Sequence, residues 1–258
     1  MTTGGLLILA LVGVFAGAIN TIAGGGSLIT LPVMILLGLP AGVANGTNRV
    51  GVILQSAVAT WQFKREGALN ARMGLWLLLP TCLGALAGAM VSVELDEALF
   101  KRLIGVVMLI MLVVVIVRPK RWLEGKKDDE DAPKTPKPTG KPTWWQALTF
   151  LAVGFYGGFL QAGVGIFLLA ALVLATGEDL VRSNAIKAML VCAFTVLPLA
   201  IFLYNDMVQW VPGLALAAGS MLGAWLGTRL TVSWGPRFVR VVLILVVSIS
   251  STKLLGLW

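Results

Sequence analysis

This chain contains no histidine, and its 258 residues include only two cysteines. Cys82 and Cys192 lie in separate apolar runs, with neither a CxxC motif nor the spacing of a metal site. These absences argue against histidine-dependent catalytic triads, zinc sites and a disulfide framework. We therefore expect no enzymatic activity, no metal and no cofactor. A serine–lysine hydrolase built on Ser27 is the remaining enzymatic alternative, and it lacks the usual histidine base.

Charge is also scarce. Only 12% of the residues are charged, whereas 58% are hydrophobic and the mean hydropathy is +0.91. A bilayer core about 30 Å thick takes about 20 apolar residues per helix. Apolar runs of this kind follow one another at 5–37, 46–62, 73–92, 99–117, 144–176, 185–204, 211–229 and 238–257. They do not alternate in hydrophobicity as the strands of a membrane barrel do. The sequence therefore predicts an all-α, polytopic membrane protein.

The two groups of four runs are separated by residues 118–142, which are rich in charge and proline. Such a composition has little to bury and predicts a solvated linker. We therefore divide the chain into an N-terminal membrane unit (1–117), the linker (118–142) and a C-terminal membrane unit (143–258). The net charge of +8 is scattered over loops and helix ends. That distribution indicates membrane topology rather than nucleic-acid binding.

The two membrane units resemble each other in sequence. Asn20 falls on Gln161 at an offset of 141, and Asn45 falls on Asn184 at an offset of 139. Glycines coincide at the same offsets, and the LGA at 83–85 matches the LGA at 222–224. A duplicated unit of about four helical segments is the simplest explanation.

Loop charge predicts that the two units have opposite orientations. The loop 62–72 is basic and its counterpart 204–209 is not, whereas the loop 91–99 is acidic and its counterpart 231–238 is flanked by arginines. Basic loops favour the cytoplasmic side. The expected architecture is thus a pair of inverted repeats with the linker inside the cell, a design common among secondary transporters.

The first run of each unit is too long for one span and too short for two. The orientation of the loops requires each of these runs to enter and leave on the same side. We predict that each forms a helical hairpin that dips into the bilayer, turning at AGGGS (23–27) in the first unit and at QAGVG (161–165) in the second.

The first turn is a candidate binding site. Gly24, Gly25 and Gly26 allow close backbone approach, and Ser27 or Asn20 could add hydrogen bonds. Helix N-termini at such a turn carry partial positive charge and free N–H donors, which suit an anion. The alternative is that the glycines only permit close helix packing. We favour that alternative for the other paired glycines, at positions 13, 17, 84, 88, 223 and 227.

A second polar group recurs where the next run of each unit begins, in VANGTNR (43–49) and RSNAIK (182–187). Asn45 aligns with Asn184, and a cation follows in each copy, Arg49 or Lys187. These side chains could contact an anion. Two alternatives stay open: the cations could extend to the lipid headgroups, and the asparagines could be helix N-caps.

Acidic residues are absent from the interior of every apolar run, since all 12 lie in loops, in the linker or at run ends. Proton pumps and cation antiporters usually need an intramembrane carboxylate, and an anion path does not. A negative cell interior would itself drive an anion outward.

We interpret Cys82 and Cys192 as small core residues, with a thiol relay as the alternative.

These motifs resemble the TauE/SafE family of membrane permeases, often described as sulfite exporters. The resemblance rests on AGGGSLITLPVMILLGLP (23–40), ANGTNRVG (44–51), GALN (67–70) and the diverged GGFLQAGVG (157–165). It implies transport of sulfite, sulfonates or related small sulfur-containing anions across a bacterial plasma membrane. Carried over by position, it implies a binding site at Asn20, Gly25, Ser27, Asn45, Thr47 and Asn48, to which the repeat alignment adds Gln161, Asn184 and Lys187.

The sequence as a whole therefore predicts an anion exporter that works by alternating access around a site near the bilayer midplane, between the two hairpins. The candidate site also includes Gly24 and Arg49. Two alternatives use the same architecture: an uptake permease for a sulfur compound and an anion channel. The expected partners are the small anion and the lipid bilayer.

Overall fold

A computed structural model of the chain describes residues 1–106 and 143–254. The predicted linker, 118–142, lies outside this part of the chain. Within the described ranges the protein is entirely helical, with nine helices and no strand, which confirms the all-α prediction. The helices are α1 (Thr3–Ile22), α2 (Ser27–Leu36), α3 (Ala41–Arg65), α4 (Ala71–Val93), α5 (97–106), α6 (Trp144–Phe159), α7 (Val164–Thr176), α8 (Leu180–Tyr204) and α9 (Trp210–Leu254).

Four of the described helices are long and apolar enough to cross a membrane: α1, α4, α8 and the Trp210–Trp234 part of α9. Their outer surfaces expose large apolar side chains such as Leu11, Phe15 and Leu79. An apolar exterior of this extent is typical of a surface that lipid covers. Helix α3 is equally long, but it carries the polar segment NGTNR and the pair Gln55 and Ser56.

The first two helices of each unit form an antiparallel hairpin. Gly5, near the start of α1, lies beside Leu37, just after the end of α2. In the same way Gln146, near the start of α6, donates a 2.9 Å hydrogen bond to the carbonyl oxygen of Ala175, near the end of α7. The helices break at the two predicted turns, where Gly24 and Gly163 have φ of 85° and 69°. Such angles favour glycine.

The two units pack crosswise, so that α1 lies along α9 and α6 lies along α4. The paired glycines lie in these contacts: a methyl group on Gly17 would overlap the backbone of Ser220, and one on Gly158 would overlap the carbonyl oxygen of Ala85. Close backbone approach of this kind is the usual role of small residues between membrane helices. The packing interpretation fits all six glycines set aside above, at 13, 17, 84, 88, 223 and 227.

Helix α9 differs from the expectation. We predicted two runs, 211–229 and 238–257, joined by a loop at 231–238, but the structure has one continuous helix over Trp210–Leu254. The only breaker in that loop is the pair Gly235 and Pro236. Proline is tolerated inside membrane helices when its surroundings satisfy the freed backbone group. Residues 231–238 therefore belong to a helix and not to a loop. The loop-charge argument that paired 91–99 with 231–238 does not apply to this pair.

The N-terminus of α3 is capped from a distance. Glu97 accepts hydrogen bonds from the backbone N–H groups of Ala41 (2.6 Å) and Gly42 (3.3 Å), where the local N-cap, Pro40, offers none. Burial alone would raise the pKa of Glu97, but these N–H donors and the Lys101 ammonium outweigh it, so the pKa is lowered from its usual value. At the equivalent place in the second unit, α8 is capped by its own Asp179.

Glu97→Ala should lower the stability of the protein by about 1 kcal/mol, because the cap of α3 is lost. The thermal unfolding midpoint of the purified protein in detergent measures the change. A carboxylate with a lowered folded pKa stabilises above its unfolded pKa, so the difference from wild type should shrink as the pH falls below about 4. Lys101→Ala, which keeps the cap, should have a smaller effect. Equal effects of the two variants would contradict the capping role.

Gly84→Ala should destabilise the protein by about 1–3 kcal/mol, because the added methyl group would overlap the Leu151 carbonyl oxygen on α6. Gly105→Ala is the matched control, since no atom of the described residues lies within 4 Å of the added methyl group. Thermal unfolding of both variants tests the prediction. Similar midpoints would show that α4 and α6 do not depend on this close approach.

Candidate functional site

The two helix breaks meet at the centre of the contact between the units. The backbones of Gly24 and Gly165 approach so closely that a methyl group on either would overlap the other. The turn of the first hairpin therefore touches the turn of the second. Around this contact lie the buried polar side chains of α3 and α8.

On α3, Asn45 and Arg49 bind the C-terminal end of α6. The Asn45 amide donates to the Phe159 carbonyl oxygen (2.9 Å), and the Arg49 guanidinium donates to the carbonyl oxygens of Gly157 (3.2 Å) and Gly158 (2.5 Å). We call this pair the Asn45–Arg49 clasp. It satisfies carbonyl groups that a helix end leaves without partners, and it places a cation at the negative end of the helix dipole.

Around its clasp, Arg49 makes two further contacts. Its guanidinium donates to the side-chain oxygen of Gln161 at 2.8 Å, and its central carbon lies 4.6 Å from the centroid of the Phe202 ring. Arg49 has no exposed surface. The alternative in which it extends to the headgroups therefore does not hold, because the broken end of α6 supplies partners inside the protein.

On α8, Asn184 and Lys187 bind the C-terminal end of α1 in the corresponding way. The Asn184 amide donates to the Ile22 carbonyl oxygen (2.9 Å), and the Lys187 ammonium donates to the carbonyl oxygens of Asn20 (2.9 Å) and Thr21 (3.1 Å). We call this pair the Asn184–Lys187 clasp. Lys187 is only 3% exposed, so it too does not extend to the headgroups.

The asparagines of the two clasps are not N-caps, which was the other alternative. Asn45 and Asn184 each lie inside a helix, whose caps are Pro40 and Asp179 respectively. Thr47 has a structural contact as well, since its hydroxyl oxygen accepts a hydrogen bond from the backbone of Gln209 at 2.9 Å, next to the start of α9.

A cavity, which we call the larger cavity, lies beside the Asn184–Lys187 clasp, where the two turns meet α3 and α8. It brings together four of the predicted site residues, Asn20, Ser27, Gln161 and Lys187. The remaining lining is Thr21, Gln55, Ser56, Ala59, Val164, Gly165, Ala188 and Val191.

A second, smaller cavity lies between α1, α2, α3 and α9. It shares Asn20, Ser27 and Gln55 with the larger one, and Asn48, another residue of the predicted site, also lines it. Its other lining residues are Ala16, Gly26, Thr30, Val52, Leu216 and Ser220. The remaining predicted residues, Gly24, Gly25, Asn45, Thr47, Arg49 and Asn184, line neither cavity and instead support the walls.

Both short helices begin at the larger cavity. Ser27 is the first residue of α2, and Val164 and Gly165 are the first two of α7. The first turn of a helix carries partial positive charge, although the N–H groups of Leu28, Ile29 and Ile166 already donate to carbonyl oxygens of the turns. The Lys187 side-chain nitrogen lies in the same wall, and no acidic residue lines either cavity in the described chain.

Sequence reasoning missed Gln55. It is 4% exposed and lines both cavities, and its amide has no hydrogen-bond partner among the described residues. The side-chain amide of Asn20, a half-buried residue, also has no hydrogen-bond partner among the described residues. Buried amides normally find partners, so the amide of Gln55 at the cavity is available to a polar ligand. The signal in the sequence was a polar pair, Gln55 and Ser56, in the middle of the apolar run 46–62.

The cysteines line neither cavity. Cys82 and Cys192 are both half-buried, and Cys82 packs against the apolar cluster between α4 and α8. Their positions agree with the interpretation as core residues, and nothing in the described chain places a thiol beside the candidate site.

Broken helices that meet around a buried polar cavity, inside a bundle of apolar helices, are typical of membrane transporters. Comparison with known families makes this specific, because the family model for "Sulfite exporter TauE/SafE" matches residues 9–254. The chain belongs to the TauE/SafE family. It is a multi-pass membrane transporter, as the resemblance of its motifs predicted.

Curated bacterial relatives agree with this assignment. The chain is 28% identical over 257 residues to a Haemophilus influenzae protein named "Probable membrane transporter protein", with 96% of this chain and 94% of the relative covered. It is 27% identical over 248 residues to "Probable membrane transporter protein YfcA" of Escherichia coli, with 96% and 88% covered. Neither name states a substrate. No solved structure matches the chain significantly.

Replacement by leucine should affect stability differently at a residue that lines the cavity and at a residue that binds a helix end. Gln55→Leu should leave the thermal unfolding midpoint unchanged or raised, because no bond to the protein is lost. Asn45→Leu should lower stability by about 2 kcal/mol or more, because the Phe159 carbonyl loses its donor. Both are measured with purified protein in detergent. A larger loss for Gln55→Leu than for Asn45→Leu would contradict this division into free and supporting residues.

Proposed function

We propose that this chain exports a small sulfur-containing anion, such as sulfite or a sulfonate, through the larger cavity. The observation that carries the proposal is the lining of that cavity, which combines the Lys187 ammonium with the N-termini of α2 and α7 and contains no acid. All three positive elements favour an anion, and the local electrostatics disfavour a metal cation or a proton carrier.

Hydrogen-bonding groups support the same substrate class. The amides of Asn20 and Gln55 are free to bind, and Ser27 and Gln161 present further polar atoms at the same wall. A sulfite or sulfonate group carries three oxygen acceptors. Neutral donors with fixed positions can hold such a group without the strong attraction that would slow its release, as a transport site requires.

We further propose that the two units are inverted repeats and that alternating access comes from movement of the hairpins against α3 and α8. Two features support this. Each hairpin is held by a clasp from the other unit, and the two clasps occupy equivalent positions, Asn45 with Arg49 and Asn184 with Lys187. Inverted repeats commonly place the substrate at such an interface.

In this proposal the protein lies in the bacterial plasma membrane, with the linker 118–142 in the cytoplasm. A membrane potential that is negative inside then favours efflux by about 2.3 kcal/mol per elementary charge per 100 mV. The same potential opposes the entry of an anion, so an uptake permease would need a source of energy that the proposed exporter does not.

Flux in proteoliposomes tests the proposal. Purified protein should move sulfite, thiosulfate or a small sulfonate across the membrane under an imposed potential, and flux should saturate with substrate, unlike that of an open channel. Gln55→Leu should raise the KM at least about tenfold, because a hydrogen bond to a charged ligand is lost.

Two controls make the flux result specific. Empty liposomes report leakage, and Lys64→Ala removes a positive charge from the exposed end of α3, away from both cavities. Lys64→Ala should transport like the wild type. Flux of none of the three anions by folded wild-type protein would refute the substrate class, whereas an unchanged KM in Gln55→Leu would refute the site.

A further inference from the structure

The Lys187 ammonium lies in a cradle made only of uncharged oxygen atoms. Its nitrogen is 2.9 Å from the Asn20 carbonyl oxygen, 3.1 Å from the Thr21 carbonyl oxygen and 2.5 Å from the Asn184 side-chain oxygen. The three N–H groups of the ammonium thus have three acceptors. Lys187 forms no ion pair within the described residues.

This cradle has the chemistry of a monovalent cation site. Two of its oxygens are carbonyls at the C-terminal end of α1, where the helix dipole is negative, and the third is a neutral amide oxygen. In transporters with broken helices, the C-terminal ends of half-helices and unwound carbonyls are where a coupling Na⁺ is coordinated. Here the position is filled by a side chain of the protein itself.

The cradle also faces the proposed substrate. Asn20, Thr21 and Lys187 all line the larger cavity. Without the ammonium, an anion there would meet the negative end of α1, and with it the same wall is positive. The Asn45–Arg49 clasp differs in this respect, because Arg49 lines neither cavity and has no exposed surface. Of the two buried cations, Lys187 is therefore the one that an anion in the larger cavity would contact.

We propose that Lys187 is a tethered cation, which holds the broken end of α1 in place of a co-transported metal ion and makes anion transport by this chain independent of Na⁺ and K⁺. Lys187 acts as a positioning residue for α1 and for the charge of the cavity wall. The independence of flux from Na⁺ and K⁺ rests on the anion transport proposed above. The role of Lys187 in holding the end of α1 does not depend on that proposal.

Chemical rescue of stability tests the cradle without any substrate. Lys187→Ala should lower the thermal unfolding midpoint by about 5 °C or more, and methylammonium chloride should restore part of this in a saturable way. Choline, which is too large for the space of the lost side chain, should not. Lys187→Met fills that space with an uncharged chain, so methylammonium should not rescue it. Equal rescue of both variants, or of neither, would overturn the proposal.

Flux and stability of the wild type supply a test that needs no variant. Replacing Na⁺ and K⁺ by N-methylglucamine on both sides of the liposome membrane should leave anion flux within about twofold, and Na⁺ should not raise the unfolding midpoint. A strict requirement for Na⁺ or K⁺ in either measurement would overturn the proposal, even if Lys187→Ala fails to fold.

The two measurements separate this inference from the proposed substrate. If the wild type moves none of the tested anions while methylammonium still rescues Lys187→Ala, the cradle stands and the substrate class fails. If flux is observed but depends on Na⁺, the substrate class stands and the tethered cation fails. In liposomes prepared with methylammonium, Lys187→Ala should regain anion flux that it lacks in N-methylglucamine.

Discussion

A helix that breaks inside an apolar bundle leaves backbone groups that cannot be satisfied by water, and the protein must satisfy them itself. The breaks after α1 and α6 create two sets of such groups. The carbonyl ends are bound by the Asn45–Arg49 and Asn184–Lys187 clasps, at distances between 2.5 and 3.2 Å. The N-terminal ends of α2 and α7, at Ser27, Val164 and Gly165, line the larger cavity. The division of the site into supporting and lining residues follows from this arrangement.

The clasps also explain why the two units must lie so close together. A clasp works only if the end of one unit's first helix lies within reach of the other unit's long helix. Crosswise packing of α1 on α9 and of α6 on α4 brings them there, and glycines such as Gly17 and Gly158 remove the side chains that would keep the backbones apart. The small residues in the packing contacts thus allow the close approach that the buried cations of the clasps require.

The sequence predicted the features that depend on local chemistry. Hydrophobic runs predicted helices, AGGGS and QAGVG predicted the breaks, and the pairing of Asn45 with Asn184 singled out the residues of both clasps, although as candidate anion contacts. It could not predict those contacts, because the partners of Arg49 and Lys187 lie more than a hundred residues away along the chain. Gln55 was missed because its signal, the polar pair with Ser56 in an apolar run, lies outside the motifs that recur in both units. The loop at 231–238 was wrong because a single Gly-Pro pair need not end a membrane helix.

The two buried cations differ in shape and in their position relative to the larger cavity. Arginine spreads its charge over a planar fork with five donors, which suits a fixed and enclosed clasp on several carbonyl groups. Lysine is a compact point charge on a flexible stem, whose ammonium resembles a small monovalent cation. The chain has arginine where the helix end is sealed and lysine where the helix end faces the cavity. If a transport cycle requires one helix end to shift as the anion passes, α1 is the end whose holding group, on its flexible stem, can follow it.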